Sequence, residues 1–84
     1  MRHATDEDLD HLEDLLIALR SMLGLRERKR GYFSRGSRAF LHFHVSDGDY
    51  YVDVKVGDSF ERWKITSQAE RASFIERVRN ELSS

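Results

Sequence analysis

The sequence predicts one α+β domain, in the order α-β-β-β-α, with both helices on one face of an antiparallel sheet. Three observations predict it. Leucines recur at helical spacing from Leu9 to Leu23, apolar residues alternate on both sides of Asp47-Gly48, and a second helical stripe follows Ser67. The 84 residues suffice for one core and no linker, so residues 1–84 are expected to fold together. A domain this small buries only about 60% of its unfolded surface, which leaves little room for a large enzyme cleft.

The first helix is expected to begin at Thr5. Its hydroxyl can accept a backbone N–H, and Asp8 three residues on can reciprocate. Leu9, Leu12, Leu16, Leu19 and Leu23 then recur at spacings of three and four, with Leu15 and Met22 widening the stripe, and Gly24 stands where a left-handed cap belongs. Residues 26–31 carry no apolar period and read as an exposed connection. Tyr32 to Ser34 is a candidate fourth strand, and Arg35-Gly36-Ser37 reads as a turn.

From Arg38 to Val45 the residues alternate, placing Ala39, Leu41, Phe43 and Val45 on one face and Phe40, His42 and His44 on the other. Asp47-Gly48 favours a type I′ hairpin turn, because both residues tolerate positive φ. The register follows: Val45 should oppose Tyr50, Phe43 oppose Val52, and Leu41 oppose Val54. Gly57-Asp58 predicts a second tight turn into a strand from Ser59 to Ile65, with Trp63 and Ile65 inward. A bulge at Gly57 would instead bury Phe60 and expose Trp63.

Ser67 and Glu70 form a capping box for the last helix, whose stripe is Ala72, Ile75, Val78 and Leu82 with Phe74. The expected core contains Leu12, Leu16, Leu19, Leu41, Phe43, Val52, Val54, Ile75 and Val78.

Composition narrows the chemistry. There are no cysteines, which removes disulfides, thiolate metal sites and thiol catalysis. No apolar run could cross a bilayer, and the acidic first residues do not resemble a secretory signal, so a cytoplasmic protein without a membrane role is expected. Net charge is −1, yet the signs are segregated. Asp6, Glu7, Asp8, Asp10, Glu13 and Asp14 form an acidic block; Arg26, Arg28, Lys29, Arg30, Arg35 and Arg38 form a basic one. Those cations, interleaved with Tyr32 and Phe33, could contact phosphates and bases. The near-neutral total argues against that class, and the same charges could simply answer the acidic helix.

The hairpin register also aligns polar residues. His42, Asp53 and Arg62 form one row across the sheet, with His44, Tyr51 and Lys64 beside it. A carboxylate can orient one imidazole nitrogen and leave the other for proton transfer, whereas the plainer reading is cross-strand pairing on a solvated surface. His42, His44 and Asp53 could share a divalent ion, but a metal site needs a further ligand, and His3 and His11 lie in another segment. No nucleophile elbow or phosphate loop is present, so neither catalytic residues nor a cofactor are assigned. Phe40 and Phe60, opposing Lys55, would leave an aromatic patch on the outer face.

The stretch LLIALRSMLGLRERKRGYFSRGSRAFLHFHVSDGDYYVDVKV, Leu15 to Val56, resembles the YjbR-like family of small bacterial α/β proteins in its order of helix, Gly24-Leu25-Arg26-Glu27, aromatic segment and meandering strands. The resemblance covers about half the chain. It implies a fold more than an activity, with DNA binding suggested for some members. The chain is shorter than that pattern and has Leu23 where the family often has proline, so no functional residue is carried across.

These readings favour a binding or interaction module that recognises a protein or nucleic acid through the basic segment and the sheet face. Two alternatives remain: a small hydrolase or RNA-processing enzyme using His42 and Asp53, and a homodimer formed through the sheet edge or the Phe40 and Phe60 patch.

Overall fold

The computed structural model describes residues 1–83. Its elements are β1 (Arg2–His3), α1 (Asp6–Asp10), α2 (Glu13–Arg20), β2 (Leu25–Lys29), β3 (Tyr32–Arg35), β4 (Arg38–Ser46), β5 (Asp49–Val56), β6 (Ser59–Lys64) and α3 (Gln68–Ser83). Strands β2 to β6 form an antiparallel meander in chain order, and β1 joins β4 antiparallel. The α+β class is as expected, but the layout has six strands and three helices among the described residues.

The expected first helix is two. Thr5 and Asp8 form the reciprocal capping box, so the start is where the sequence places it. At His11 and Leu12 the backbone tightens: their N–H groups donate to the carbonyls of Asp8 and Leu9 at 3.1 and 3.0 Å, bonds one residue shorter than helical. Leu9, Leu12, Leu15, Leu16 and Leu19 are all buried despite the break. No glycine or proline marks it, so leucine spacing alone could not reveal it. The second segment ends at Arg20, and Leu23 is 95% exposed rather than part of the stripe.

Residues 26–31 are not a connection but most of β2 and its turn into β3. An edge strand can lack an apolar period because its backbone pairing and a few inward groups suffice. Leu25 packs on the core, while half-buried Glu27 accepts hydrogen bonds from Arg20 at 2.6 and 3.1 Å and from the Gly31 N–H at 3.0 Å. Gly31 turns the chain at φ +81°, where a Cβ would stand 2.9 Å from Leu9 Cδ2. Gly31→Ala combines left-handed backbone strain with this contact, and is expected to cost about 1–3 kcal/mol in urea unfolding. Gly36→Ala, at φ +62° with nothing within 4 Å, should lose only the backbone part.

The β4–β5 hairpin has the expected register, with Val45 opposite Tyr50, Phe43 opposite Val52 and Leu41 opposite Val54. Both Asp47 and Gly48 take positive φ. The Gly57-Asp58 turn also holds two residues, and Val56 pairs with Ser59, so no bulge exchanges the faces of β6. Trp63 packs against the core and Phe60 is outside.

A bulge does occur in β4. Phe33 pairs with Leu41 and Ser34 with Ala39, leaving Phe40 as an extra residue that turns inward beside Leu41. Phe40 is therefore buried and Ala39 exposed, the reverse of strict alternation.

All the expected core residues lie in or against one cluster, with Ile75 only partly buried; Ala72 is exposed. Leu9, Leu15, Phe33, Phe40, Ile65 and Phe74 complete it. Leucines of α1 and α2, with Phe74 and Val78 of α3, meet the Leu41, Phe43, Val52 and Val54 side of the sheet. The opposite side is open. No helix among the described residues is long and apolar enough to cross a membrane.

Candidate functional site

The open sheet face collects most of the polar chemistry. Asp53 pairs with His42 on one side and Arg62 on the other, while Tyr51 pairs with His44 and Lys64, so both expected rows are present. The same side of β4 continues into β3 and β1: Tyr32 lies opposite His42, and His3 opposite His44. Strand β1 takes up pairing with β4 where β3 leaves it.

Four rings are brought together. The His42 and His44 centroids are 4.7 Å apart, His3 lies 4.8 Å from His44, and Tyr32 stacks nearly parallel on His42 at 5.8 Å. Tyr32 Oη is 3.2 Å from His3 Nδ1. Phe60 meets His42 edge-on and has Lys55 on its ring at 5.8 Å. Of the expected exposed aromatic pair, only Phe60 remains.

Asp53 anchors the face. Its carboxylate accepts from Arg62 Nε at 2.7 Å and Nη2 at 2.9 Å, which holds its pKa below the ordinary value. The Nε2 atoms of His44 and His42 lie 2.9 and 3.5 Å from Asp53 Oδ2. Burial pushes both imidazole pKa values down, and the attraction of Asp53 opposes that shift. Neutral rings are thereby favoured. His44 Nε2 is fully buried and, despite its nearness to Asp53, is not aligned for a hydrogen bond with any described group.

The side chains of the basic segment are turned to several different neighbours. Arg30 turns to the helical acids, contacting Asp6, Asp10 and Glu13 at 3.4, 2.7 and 3.1 Å. This is the internal pairing that charge segregation also allowed. Arg35 donates to the Glu81 carbonyl at 3.4 Å, toward α3. Arg28 donates to Ser34 Oγ at 2.8 Å and the Gly36 carbonyl at 3.1 Å. Lys29 sits 4.3 Å over the Tyr32 ring. Arg26 and Arg38 are exposed and carry no ion pair among the described residues.

Beside the imidazoles lies a depression of about 390 Å³, whose polar lining includes Arg28, Lys29, Tyr32, Ser34, Ser37 and His42. The two expected sites therefore meet at Tyr32 and His42. Sequence reasoning missed His3 and Tyr32 as members of the face. Nothing in a two-residue segment announces that it will pair with β4, and Tyr32 follows from the Phe33–Leu41 register only once β3 is known to join the sheet. No family model matches the chain, and no curated protein or solved structure is significantly similar to it.

Proposed function

We propose that the protein is a non-enzymatic binding module that takes a short stretch of single-stranded nucleic acid on the open face of its sheet. The observation that carries this reading is the lining of the depression: Arg28, Lys29, Ser34, Ser37 and His42 share one hollow with Tyr32 and the apolar Phe33, Ala39 and Leu41. Arg28 and Lys29 supply phosphate contacts, the Tyr32 ring becomes available to a base when Lys29 leaves it for a phosphate, and Ser34 and Ser37 are small polar neighbours. With a net charge of −1, binding is expected to be weak and confined to this face.

Fluorescence anisotropy with labelled single-stranded oligonucleotides at several salt concentrations tests the reading. Two phosphate contacts give an expected log–log salt slope near −1.4, and Lys29→Ala should make it shallower by about 0.7. Tyr32→Ala should cost about 1–3 kcal/mol of stacking with little change of slope. No binding at low salt, or affinity indifferent to salt, would overturn the proposal.

A further inference from the structure

We propose that His3, His42 and His44 form a binding site for a divalent transition-metal ion of the zinc type, with the Asp53 carboxylate beside His42 and His44 as a further oxygen donor. This goes beyond the oligonucleotide reading and stands or falls separately from it.

The donor atoms of His3, His42 and His44 lie within 4.8 Å of one another. Tetrahedral zinc with bonds of 2.0–2.1 Å requires its ligand atoms to be about 3.3 Å apart. The distances from Asp53 Oδ2 to the two imidazole Nε2 atoms, 2.9 and 3.5 Å, bracket that edge. The 4.8 Å spread exceeds that edge, so the three rings must draw together on binding, and His3 is exposed on the two-residue strand β1.

His44 supplies the second observation. The residue is 8% exposed, and its Nε2 has no hydrogen-bond partner although a carboxylate oxygen lies 2.9 Å away. Asp53 Oδ2 already accepts from Arg62 Nη2 at 2.9 Å, so the atom without a partner is the imidazole nitrogen, and a cation within its reach would supply one. The surroundings fit such an ion. Arg62 holds both oxygens of the carboxylate, and Tyr32 Oη can accept from His3 Nδ1–H, the tautomer that leaves His3 Nε2 with a free lone pair. Imidazole and carboxylate donors suit zinc, and the divalent series predicts that copper and nickel compete while calcium and magnesium do not.

The test is titration of the tag-free chain with ZnCl2, followed by calorimetry and by imidazole 15N NMR. One zinc per chain is expected, with shifts at His3, His42 and His44 and none at His11. His3→Ala removes a ligand from an exposed position without disturbing the core. It should weaken binding by more than about 100-fold, beyond the 10–100-fold typical of losing an outer-shell partner. Asp53→Asn should weaken it as well, and a native amide spectrum of each variant without zinc separates ligand loss from unfolding. Absence of uptake, uptake undiminished in His3→Ala, or shifts centred on His11 would overturn the site.

Discussion

Phe74→Ala is expected to lower the unfolding free energy by about 3–5 kcal/mol, and the melting temperature by more than about 12 °C. Helix α3 is highly charged, and only Phe74 and Val78 of its side chains are fully buried. Phe74 meets Phe43 edge-on at 6.4 Å and Trp63 at 6.1 Å, so its ring joins the helix to both the centre and the far edge of the sheet. Without it, α3 keeps Val78 and the partly buried Ile75 and Leu82. A domain of this size has a total stability of only about 5–10 kcal/mol, so much of it would be lost. Urea unfolding followed by tryptophan fluorescence measures the effect. Phe60→Ala, at a residue 45% exposed, is the comparison and should stay within about 0.5 kcal/mol. Equal losses in the two variants would contradict this packing.

His44→Leu, measured in chelator, is expected to change stability at neutral pH by no more than about 1 kcal/mol. The substitution removes a poorly aligned imidazole contact with Asp53, leaves that carboxylate to Arg62, and keeps an apolar group in the same space. It should also reduce the pH dependence of stability. His44 faces His3, His42, Asp53 and Arg62, and burial lowers its pKa more than Asp53 raises it. His42, flanked also by Tyr32 and Phe60, is lowered for the same first cause. With folded values below the unfolded one, the unfolded chain binds more protons. The stabilisation is complete above about pH 6.5 and is lost as the pH falls through the lower folded values. Asp53 acts in a separate, more acidic window: its carboxyl is already depressed, so its contribution is lost only below about pH 3.9. Urea midpoints at pH 7.5 and 5.5 should therefore differ more for the native chain than for His44→Leu. Parallel shifts in both would contradict the assignment of His44 as a buried neutral imidazole.

Much of the fold can be read from local signals. The Thr5 and Asp8 cap, the Asp47-Gly48 turn and the alternation of Leu41, Phe43, Val52 and Val54 agree with one another, and each appears where expected. The turn sets the register and the register sets the faces, which is why His42, Asp53 and Arg62 could be aligned from sequence. What could not be read depends on partners distant in the chain or on departures from a period. Phe40 turns inward because β4 carries an extra residue against β3, and alternation assumes none. Strand β2 has one apolar residue because it is an edge, and its glutamate is held by Arg20 rather than by a hydrophobic contact. His3 joins the imidazoles through two residues of pairing with β4, too short to leave a pattern. Arg30 resembled the other cations in sequence, and only the fold turns it to Asp6, Asp10 and Glu13.

The most direct measurement is a backbone amide NMR titration with short single-stranded DNA and RNA at low and moderate salt. Binding on the open face predicts salt-sensitive shifts at Lys29, Tyr32, Ser37 and His42, with α3 and the helical acids around Arg30 unaffected. Shifts spread along α3, or no shifts in the lower salt, would contradict it.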